Sequence, residues 1–252
     1  MTLITHREYL KKLIPVVRRA GESIMGFYSN NIKIKDKEDG SPVTEADKES
    51  EKIIIEELRV LAPKIPIVSE ENNLSHLIKP SKKYFLVDPL DGTKEFIKSD
   101  GKGSFTVNIA LIEEGSPTLG IVYAPALDRL FHGSKFFGSF ENGKPIKVRD
   151  IPLSGAVAVA SVSNFNSETK NWLRQNQINN FISIGSSLKF CLVACGEADI
   201  YPRFGTTMEW DTAAGQAVLQ FSGGTVVDVT GRNLMYGKPN YKNEFFLAKG
   251  KI

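Results

Sequence analysis

The sequence predicts an α+β first half followed by an α/β second half. Two helical segments with amphipathic spacing precede a series of strand-like segments, and after about residue 150 strand-like and helical segments alternate. Consecutive strands without intervening helices favour an antiparallel meander, whereas alternation of strands and helices is typical of an α/β layer. We therefore predict one part from 1–150, carrying most of the site described below, and a second part from 151–252.

Two helices are expected at the start of the chain. Apolar residues recur at helical spacing from Thr5 to Tyr28, with a local distortion at Pro15. A short alternating strand at 32–37 follows, and a second helix is predicted to begin after Thr44. Four apolar residues of this second helix are predicted to face inward, namely Ile54, Ile55, Leu58 and Leu61.

The remaining elements follow from strand-like and helical runs. Strands are predicted at 65–69, 83–90, 105–115 and 119–125 in the first half and at 156–163, 181–186 and 224–230 in the second. Helices of the second half are predicted at 167–176, 187–196 and 211–223. These runs lie between polar segments rich in turn residues.

Composition indicates an ordinary folded protein. Hydrophobic residues make up 41% and charged residues 24% of the chain, unlike a disordered composition. No apolar segment approaches the roughly 20 residues of a membrane-spanning helix, and the N-terminus lacks a secretory signal pattern. We expect a cytoplasmic protein and leave open a weak association with the inner face of a membrane. The net charge of +3 is spread along the chain, so no nucleic-acid polymer is expected as a partner; a homodimer is left open.

Cysteines and histidines are few. Cys191 and Cys195 lie on one face of a predicted buried helix, where core thiols are favoured over a disulfide or a metal site. The three histidines, His6, His76 and His132, occur in unrelated contexts, and we predict surface or loop positions rather than catalytic ones.

The most informative segment is the acidic run at residues 88–93. Asp88 and Asp91 follow the apolar strand, Pro89 restricts the backbone, and Gly92 permits a tight turn. The two carboxylates and the Leu90 carbonyl can therefore converge on one point, and Mg²⁺ prefers such oxygen ligands. An Asp-rich turn without a metal is an equally good explanation of this segment alone.

Three further acidic residues have both structural and chemical explanations. Glu70 follows a predicted strand, as Asp88 does, and Asp211 lies where a helix begins, so it could simply be an N-cap. Asp47 forms a capping-box pattern with Thr44, and for Asp47 alone we favour this structural explanation.

Four segments together resemble the inositol monophosphatase superfamily of lithium-sensitive, magnesium-dependent phosphatases. They are VTEAD (43–47), SEE (69–71), DPLDGT (88–93) and WDTAAG (210–215), in the order found in that superfamily. Within it, the segments at 105–125 and 185–205 are most similar to the 3'(2'),5'-bisphosphate nucleotidases. The resemblance implies a layered α-β-α-β-α sandwich of the inositol monophosphatase and sugar phosphatase type.

The resemblance also implies two magnesium ions that share Asp88 as a ligand. The ligands would be Glu70, Asp88 and the Leu90 carbonyl for one ion, and Asp88, Asp91 and Asp211 for the other. A third, weaker ion would lie near Glu70 and Asp47. Thr93, oriented by Asp47 and with Glu70 nearby, would help an attacking water to lose its proton.

The implied substrate is a small phosphorylated molecule, 3'-phosphoadenosine 5'-phosphate or a related bisphosphate nucleotide, which loses its 3'-phosphate or 2'-phosphate. Gly92, Thr93 and Asp211 would contact the phosphate. Ser186, Lys189 and Arg203 would face the rest of the nucleotide. The chain departs from related nucleotidases at 163–166, where neutral residues replace an expected Ser-Arg-Ser-His-like segment.

Two alternatives stay open at this point. The first is a phosphatase of the same superfamily that acts on inositol monophosphate or a sugar phosphate. The second is a non-catalytic phosphate-binding protein that retains the fold, although such a protein has no need of Thr93 and Asp47 beside a metal site.

Overall fold

The structure, a computed structural model, describes residues 3–28, 34–36, 42–79, 81–98, 103–161 and 165–251. Its helices are α1 (Leu3–Tyr28), α2 (Glu45–Leu61), α3 (Asn73–His76), α4 (Thr93–Lys98), α5 (Ser167–Gln175), α6 (Leu188–Ala194) and α7 (Glu209–Phe221). The predicted strand at 32–37 lies partly outside the described residues, and its described part, Ile34–Asp36, is a strand.

Strands of the first half are β1 (Ile34–Asp36), β2 (Pro42–Thr44), β3 (Ile67–Ser69), β4 (Lys83–Asp91), β5 (Thr106–Glu113), β6 (Ser116–Ala124), β7 (Arg129–Ser134), β8 (Gly138–Glu141) and β9 (Lys144–Ile146). Strands of the second half are β10 (Val157–Ala160), β11 (Asn180–Ser183), β12 (Ile200–Arg203), β13 (Thr225–Asp228) and β14 (Phe246–Lys249). All the helices and strands predicted from sequence are present, with shifted ends.

Helices α1 and α2 form the outermost layer over the first sheet. Their apolar faces pack against alternate residues of the sheet, including Phe85 and Val87 of β4, because successive side chains of a strand point to opposite faces. Ile54 and Leu58 of α2 are fully buried as predicted, whereas Ile55 and Leu61 are only partly buried at the edge of this core. Helix α1 continues through Pro15.

The first sheet has seven strands in the order β3-β4-β5-β6-β7-β8-β9. All neighbouring pairs are antiparallel except β3 and β4, which run parallel. The predicted antiparallel meander is therefore confirmed for β4, β5 and β6 and wrong for β3, which pairs parallel to β4. Strands β7, β8 and β9 continue the antiparallel order beyond the predicted strands. The parallel pair brings Ser69, the last residue of β3, beside Val87 of β4, and this edge of the sheet holds the acidic residues considered below.

Helices α6 and α7 form a central layer between two sheets. Ala214 and Val218 of α7 share one apolar core with Leu86 of the first sheet and Ala248 of the second. Helix α7 approaches the first sheet closely because two strand residues that face it are glycines: a Cβ at Gly120 would lie only 2.7 Å from the Ala217 Cβ, and Gly133 is equally constrained.

The second sheet has the order β11-β10-β12-β14-β13, with β10, β11 and β12 parallel and β14 antiparallel to both its neighbours. Helix α5 covers its outer face, where Leu173 packs on Ala158 and Ile200. The five layers are thus α-β-α-β-α, which confirms the predicted sandwich. The boundary near residue 150 remains a prediction, since α7 belongs to the second half and packs on the first sheet.

Buried histidine and cysteine residues correct one prediction and agree with another. His6 is fully buried in α1, 2.9 Å from the Ser134 hydroxyl, so its predicted surface or loop position was wrong. Burial lowers the pKa of both His6 and His132 to about 4. Cys191 and Cys195 are free thiols, the first buried and the second partly so. None of the described helices combines the length and apolar composition needed to cross a membrane.

Because α7 lies so close to the first sheet, any side chain at Gly120 should lower the stability of the fold. The change Gly120→Ala should lower the free energy of unfolding by about 1–3 kcal/mol, because the new methyl group would overlap α7. Urea denaturation measures this loss. The matched control is Gly26→Ala in α1, where a Cβ meets nothing within 4 Å, and helix propensity should raise stability by up to about 1 kcal/mol. Equal effects of the two changes would contradict the prediction.

Candidate metal centre

Three carboxylates from different elements meet at the edge of the first sheet. One oxygen each of Glu70, Asp88 and Asp211 lies within 4.8 Å of the others. Glu70 directly follows β3, and its N–H donates to the Val87 carbonyl of β4 at 3.1 Å. The parallel β3-β4 pair therefore places Glu70 beside Asp88, while α7 brings Asp211 to them from the central layer.

An irregularity in β4 controls the direction of its two aspartates. Asp88 pairs with Asn108 and Asp91 with Thr106, so three residue steps on β4 oppose only two on β5. In a regular strand, residues three apart point to opposite faces. The extra residue of this bulge allows both carboxylates to project toward the same side.

The bulge corrects the predicted position of the aspartates. Asp88 lies within β4 rather than at its end, and Asp91 is the last residue of that strand rather than part of a turn. Two hydrogen bonds hold the irregular backbone: the Ser50 hydroxyl donates to the Pro89 carbonyl at 2.8 Å, and the Leu90 N–H donates to Asp88 Oδ1 at 3.1 Å.

Asp211 is the third residue of α7. The helix begins at Glu209 with Met208 as its N-cap, so the alternative that Asp211 is itself the N-cap was wrong. The Met208 N–H donates to Asp211 Oδ2 at 2.8 Å. This reciprocal contact from the third helical residue fixes the orientation of the carboxylate.

The pKa values of the aspartates reflect burial among like charges. Burial raises the pKa of Asp88 well above its ordinary value, and the charges of Glu70, Asp91 and Asp211 raise it further. Burial and the charges of Asp91 and Glu70 likewise raise the pKa of Asp211. The pKa of Asp91 is raised to about 6, because burial outweighs the opposing effects of Lys189 and the Ser187 N–H.

These carboxylates fit a divalent cation. Asp88 is 1% exposed, and its Oδ2 has no hydrogen-bond partner among the described residues. A buried carboxylate oxygen without a donor is costly, and a bound cation would supply both the missing partner and the missing positive charge. The donor set contains oxygen and no nitrogen or sulfur, which suits a hard cation such as Mg²⁺.

Asp47 has both of the roles considered from sequence. Its Oδ2 accepts from the N–H and the hydroxyl of Thr44 at 2.7 and 2.6 Å, so the predicted capping box is present. Its Oδ1 accepts from the Thr93 hydroxyl at 3.2 Å, and the same hydroxyl lies 3.1 Å from the Leu90 carbonyl. Thr93 is therefore held beside the bulge.

Gly92 directly follows the bulge and lies close to the segment that precedes α6. Its φ of +89° lies in the left-handed region that favours glycine, and a Cβ there would lie 3.4 Å from the Ser186 Cβ. Lys189 is 4% exposed, and its ammonium donates to the Ser186 carbonyl at 2.6 Å. Burial lowers the pKa of Lys189 to about 8, against the opposing charge of Asp91.

Arg203 is the last residue of β12 and lies near Lys189. Its charge helps to lower the pKa of Lys189, its Nη2 donates to the Thr206 carbonyl at 2.9 Å, and its buried Nε has no hydrogen-bond partner among the described residues. All residues proposed from sequence thus lie around one region. Asp91 is not among the three carboxylates that meet most closely.

Several residues of the site were not identified from sequence. The Ser187 N–H donates to Asp91 Oδ2. His76 stacks on Trp210 with ring centroids 4.6 Å apart, and its Nε2 lies 2.8 Å from the Ser69 carbonyl. His76 thus links the residues that directly precede Glu70 and Asp211. Only the nearness of Ser187 to Ser186 could have pointed to it, and no spacing pattern identifies His76.

Known proteins resemble the chain over almost its whole length. A model of the inositol monophosphatase family matches residues 6–249. The 3'(2'),5'-bisphosphate nucleotidase CysQ of Salmonella typhimurium is 45% identical over 233 residues, which cover 90% of this chain and 93% of the relative.

Solved structures are similar as well. CysQ from Bacteroides thetaiotaomicron, described as a bacterial member of the inositol monophosphatase family, has a TM-score of 0.82 and 33% identity over 97% of this chain and 98% of its own. An inositol monophosphatase from Anabaena has a TM-score of 0.78 and 28% identity over 98% and 92% of the two chains. The chain belongs to the inositol monophosphatase family.

Proposed function

We propose that the chain is a magnesium-dependent phosphomonoester hydrolase that acts on bisphosphate nucleotides. Its substrate is 3'-phosphoadenosine 5'-phosphate, which loses the 3'-phosphate, or a related nucleotide that loses a 2'- or 3'-phosphate. One observation carries the proposal: carboxylate oxygens of Glu70, Asp88 and Asp211 converge, and the buried Asp88 Oδ2 has no hydrogen-bond partner in the described part of the chain. The 45% identity to a protein named as a 3'(2'),5'-bisphosphate nucleotidase supports the choice of substrate.

Two or three Mg²⁺ ions are proposed. The ligands would be Glu70, Asp88 and the Leu90 carbonyl for one ion, and Asp88, Asp91 and Asp211 for another. A third ion would lie near Glu70 and Asp47. When bound, Mg²⁺ supplies Lewis acidity toward the phosphate and lowers the pKa of a water molecule. The closely placed carboxylates support this arrangement, because they need a cation to offset their mutual repulsion.

Thr93 is proposed to orient the attacking water. Its hydroxyl proton is directed toward Asp47 Oδ1 and the Leu90 carbonyl. The lone pairs of the hydroxyl oxygen are then left to accept a hydrogen bond from water, which holds the water and assists loss of its proton, with Glu70 nearby. This use of Thr93 also fits the positions of His6 and His132, which lie in α1 and β7 and whose pKa values burial lowers to about 4.

The substrate is proposed to lie between Gly92 and the segment before α6. Gly92, Thr93 and Asp211 would contact the scissile phosphate, and Ser186, Lys189 and Arg203 the rest of the nucleotide. The positively charged side chains of Lys189 and Arg203 suit the binding of a second phosphate of the nucleotide. In the segment that departs from related nucleotidases, Ser163 and Asn164 lie outside the described residues, while Asn166 caps α5 and donates to the Phe204 carbonyl at 2.6 Å.

A substrate panel tests the proposed specificity. With Mg²⁺ present, phosphate release should be fastest from 3'-phosphoadenosine 5'-phosphate, compared with inositol 1-phosphate and fructose 1,6-bisphosphate, because the two latter molecules offer no nucleoside to the α6 side of the site. The measurement is kcat/KM for each substrate. Preference for inositol 1-phosphate or the sugar bisphosphate would assign the alternative phosphatase activity. Absence of turnover with all three, despite Mg²⁺ binding, would favour the non-catalytic alternative.

The change Asp88→Asn tests the metal centre. Turnover should fall by more than about 100-fold, the upper end of what is lost when only a hydrogen-bond partner of a metal ligand is removed. In EDTA, the Tm should equal or exceed that of the wild type, because the amide replaces a buried carboxyl whose ionisation is unfavourable. Asp150→Asn is the control, since that side chain is exposed. Retained Mg²⁺-dependent phosphate release in Asp88→Asn would refute the assignment.

Stabilisation by Mg²⁺ should depend on pH. The pKa of Asp91 in the metal-free protein is raised to about 6, so a proton competes with the cation below that pH. The carboxylate contributes least to metal-free stability above pH 6, where it is ionised in a partly buried position. The Tm difference between Mg²⁺ and EDTA should therefore grow from about pH 5 to about pH 8. Effects of the buried histidines cancel in this difference. Asp91→Asn should reduce the pH dependence, while Asp88 and Asp211, whose pKa values are also raised, still contribute to it. A wild-type difference that is independent of pH would contradict the prediction.

A further inference from the structure

Three polar side chains form a closed ring beside the β4 bulge. Thr106, Asn108 and Ser187 are 0%, 1% and 2% exposed. Ser187 Oγ lies 2.6 Å from Asn108 Oδ1, Asn108 Nδ2 lies 3.1 Å from Thr106 Oγ1, and Thr106 Oγ1 lies 2.8 Å from Ser187 Oγ. Thr106 and Asn108 belong to β5, whereas Ser187 directly precedes α6, so the ring joins the first sheet to the central layer.

The hydrogen-bond directions in the ring are determined by its chemistry. Asn108 Oδ1 can only accept, so the Ser187 hydroxyl donates to it. The Asn108 Nδ2 group can only donate, so it donates to Thr106 Oγ1. Ser187 has then used its only hydroxyl proton, and Thr106 must donate to Ser187 Oγ. Each oxygen of the ring accepts one bond, and the bonds run in one direction, an arrangement in which hydrogen bonds strengthen one another.

The ring lies opposite the two aspartates of the bulge. Asn108 is the strand partner of Asp88, and Thr106 is the partner of Asp91. The backbone N–H of Ser187 donates to Asp91 Oδ2. Ser186, just before it, has a φ of +53°, an uncommon conformation for a residue other than glycine. Because the ring fixes the Ser187 side chain, it also fixes the N–H that holds Asp91.

We propose that Ser187 is a positioning residue for Asp91, held in place by Thr106 and Asn108. The Ser187 N–H holds one oxygen of Asp91 and leaves the other free to bind a cation. The proposal rests on the proposed function, in which Asp91 is a metal ligand. Since Ser187 lies between Ser186 and Lys189, the same ring sets the distance between the metal centre and the proposed substrate contacts of that segment.

Two changes at Thr106 distinguish the effect of the hydrogen bonds of the ring from the effect of side-chain packing. Thr106→Val keeps the side-chain shape and removes the hydroxyl, whereas Thr106→Ser keeps the hydroxyl. Thr106→Val and Ser187→Ala should each weaken Mg²⁺ binding by about 10- to 100-fold, the usual range for loss of a partner that orients a metal ligand. The Mg²⁺ affinity of Thr106→Ser should remain within about threefold of the wild-type affinity, because serine keeps the hydroxyl that donates to Ser187. Mg²⁺ affinity is measured by isothermal titration calorimetry with the metal alone.

The control is Ser139→Ala, which removes another buried hydroxyl whose hydrogen bond goes to the Val218 carbonyl at 2.6 Å, away from the carboxylates. It should lower the Tm without changing Mg²⁺ affinity. Unchanged Mg²⁺ affinity in folded Thr106→Val or Ser187→Ala would overturn the proposal, as would equal losses in Thr106→Val and Thr106→Ser. If Thr106→Val does not fold, Ser187→Ala compared with Ser187→Thr decides.

The binding measurement separates this proposal from the proposed function. If the wild type binds Mg²⁺ and the hydroxyl-free variants bind it more weakly, the positioning role is supported even when no substrate of the panel releases phosphate. If the wild type is an active nucleotidase and the variants keep its Mg²⁺ affinity, the function stands and the positioning role is rejected. With an active wild type, the variants should also require more Mg²⁺ for half-maximal kcat.

Discussion

Repulsion between buried carboxylates is the constraint on which the arrangement of this molecule depends. Asp88, Asp91 and Asp211 all have raised pKa values, because the fold takes them out of water and places them near one another. Such a group lowers the stability of the metal-free protein, so its neighbours have to be rigid enough to keep it together. The bulge of β4 carries Asp88 and Asp91, the first turn of α7 carries Asp211, and the end of β3 carries Glu70. Hydrogen bonds from backbone N–H groups hold Glu70 and Asp211 in place.

The layered architecture explains how these carboxylates reach one place. Glu70 and Asp88 come from adjacent parallel strands, whereas Asp211 comes from a helix that packs between the two sheets. The helix that approaches the first sheet closely at Gly120 and Gly133 is the one that carries Asp211. The stacking of His76 on Trp210 connects the same two regions from the outside.

The sequence predicted the fold better than the local geometry of the site. Amphipathic spacing and strand-like runs identified most elements, and the resemblance supplied their layered order. Six strands were not predicted, namely β2, β7, β8, β9, β12 and β14. The last two have only four residues each and include polar or conformationally restricted residues such as Pro202 and Lys249. The burial of His6 was also missed, since its hydrogen-bond partner Ser134 is far away in sequence.

Within the site, residue types were predictable where a short motif contains them, as in the run from Asp88 to Thr93. The bulge was not, because it is defined by pairing with β5 and not by the residues of β4 alone. The same limit applies to Ser187, whose partners Thr106 and Asn108 are about eighty positions earlier. The roles assigned to the site residues in metal binding and turnover remain proposals.

The bulge has a consequence for how this segment can change during evolution. Three residue steps separate Asp88 from Asp91, and two separate Thr106 from Asn108. Deleting one residue between the aspartates would restore a regular strand pairing and could even favour the sheet itself, but it would remove the extra residue that sets the two carboxylates relative to each other. The length of this segment is therefore under stronger constraint than the identity of Leu90, of which only the backbone carbonyl is assigned a role at the metal.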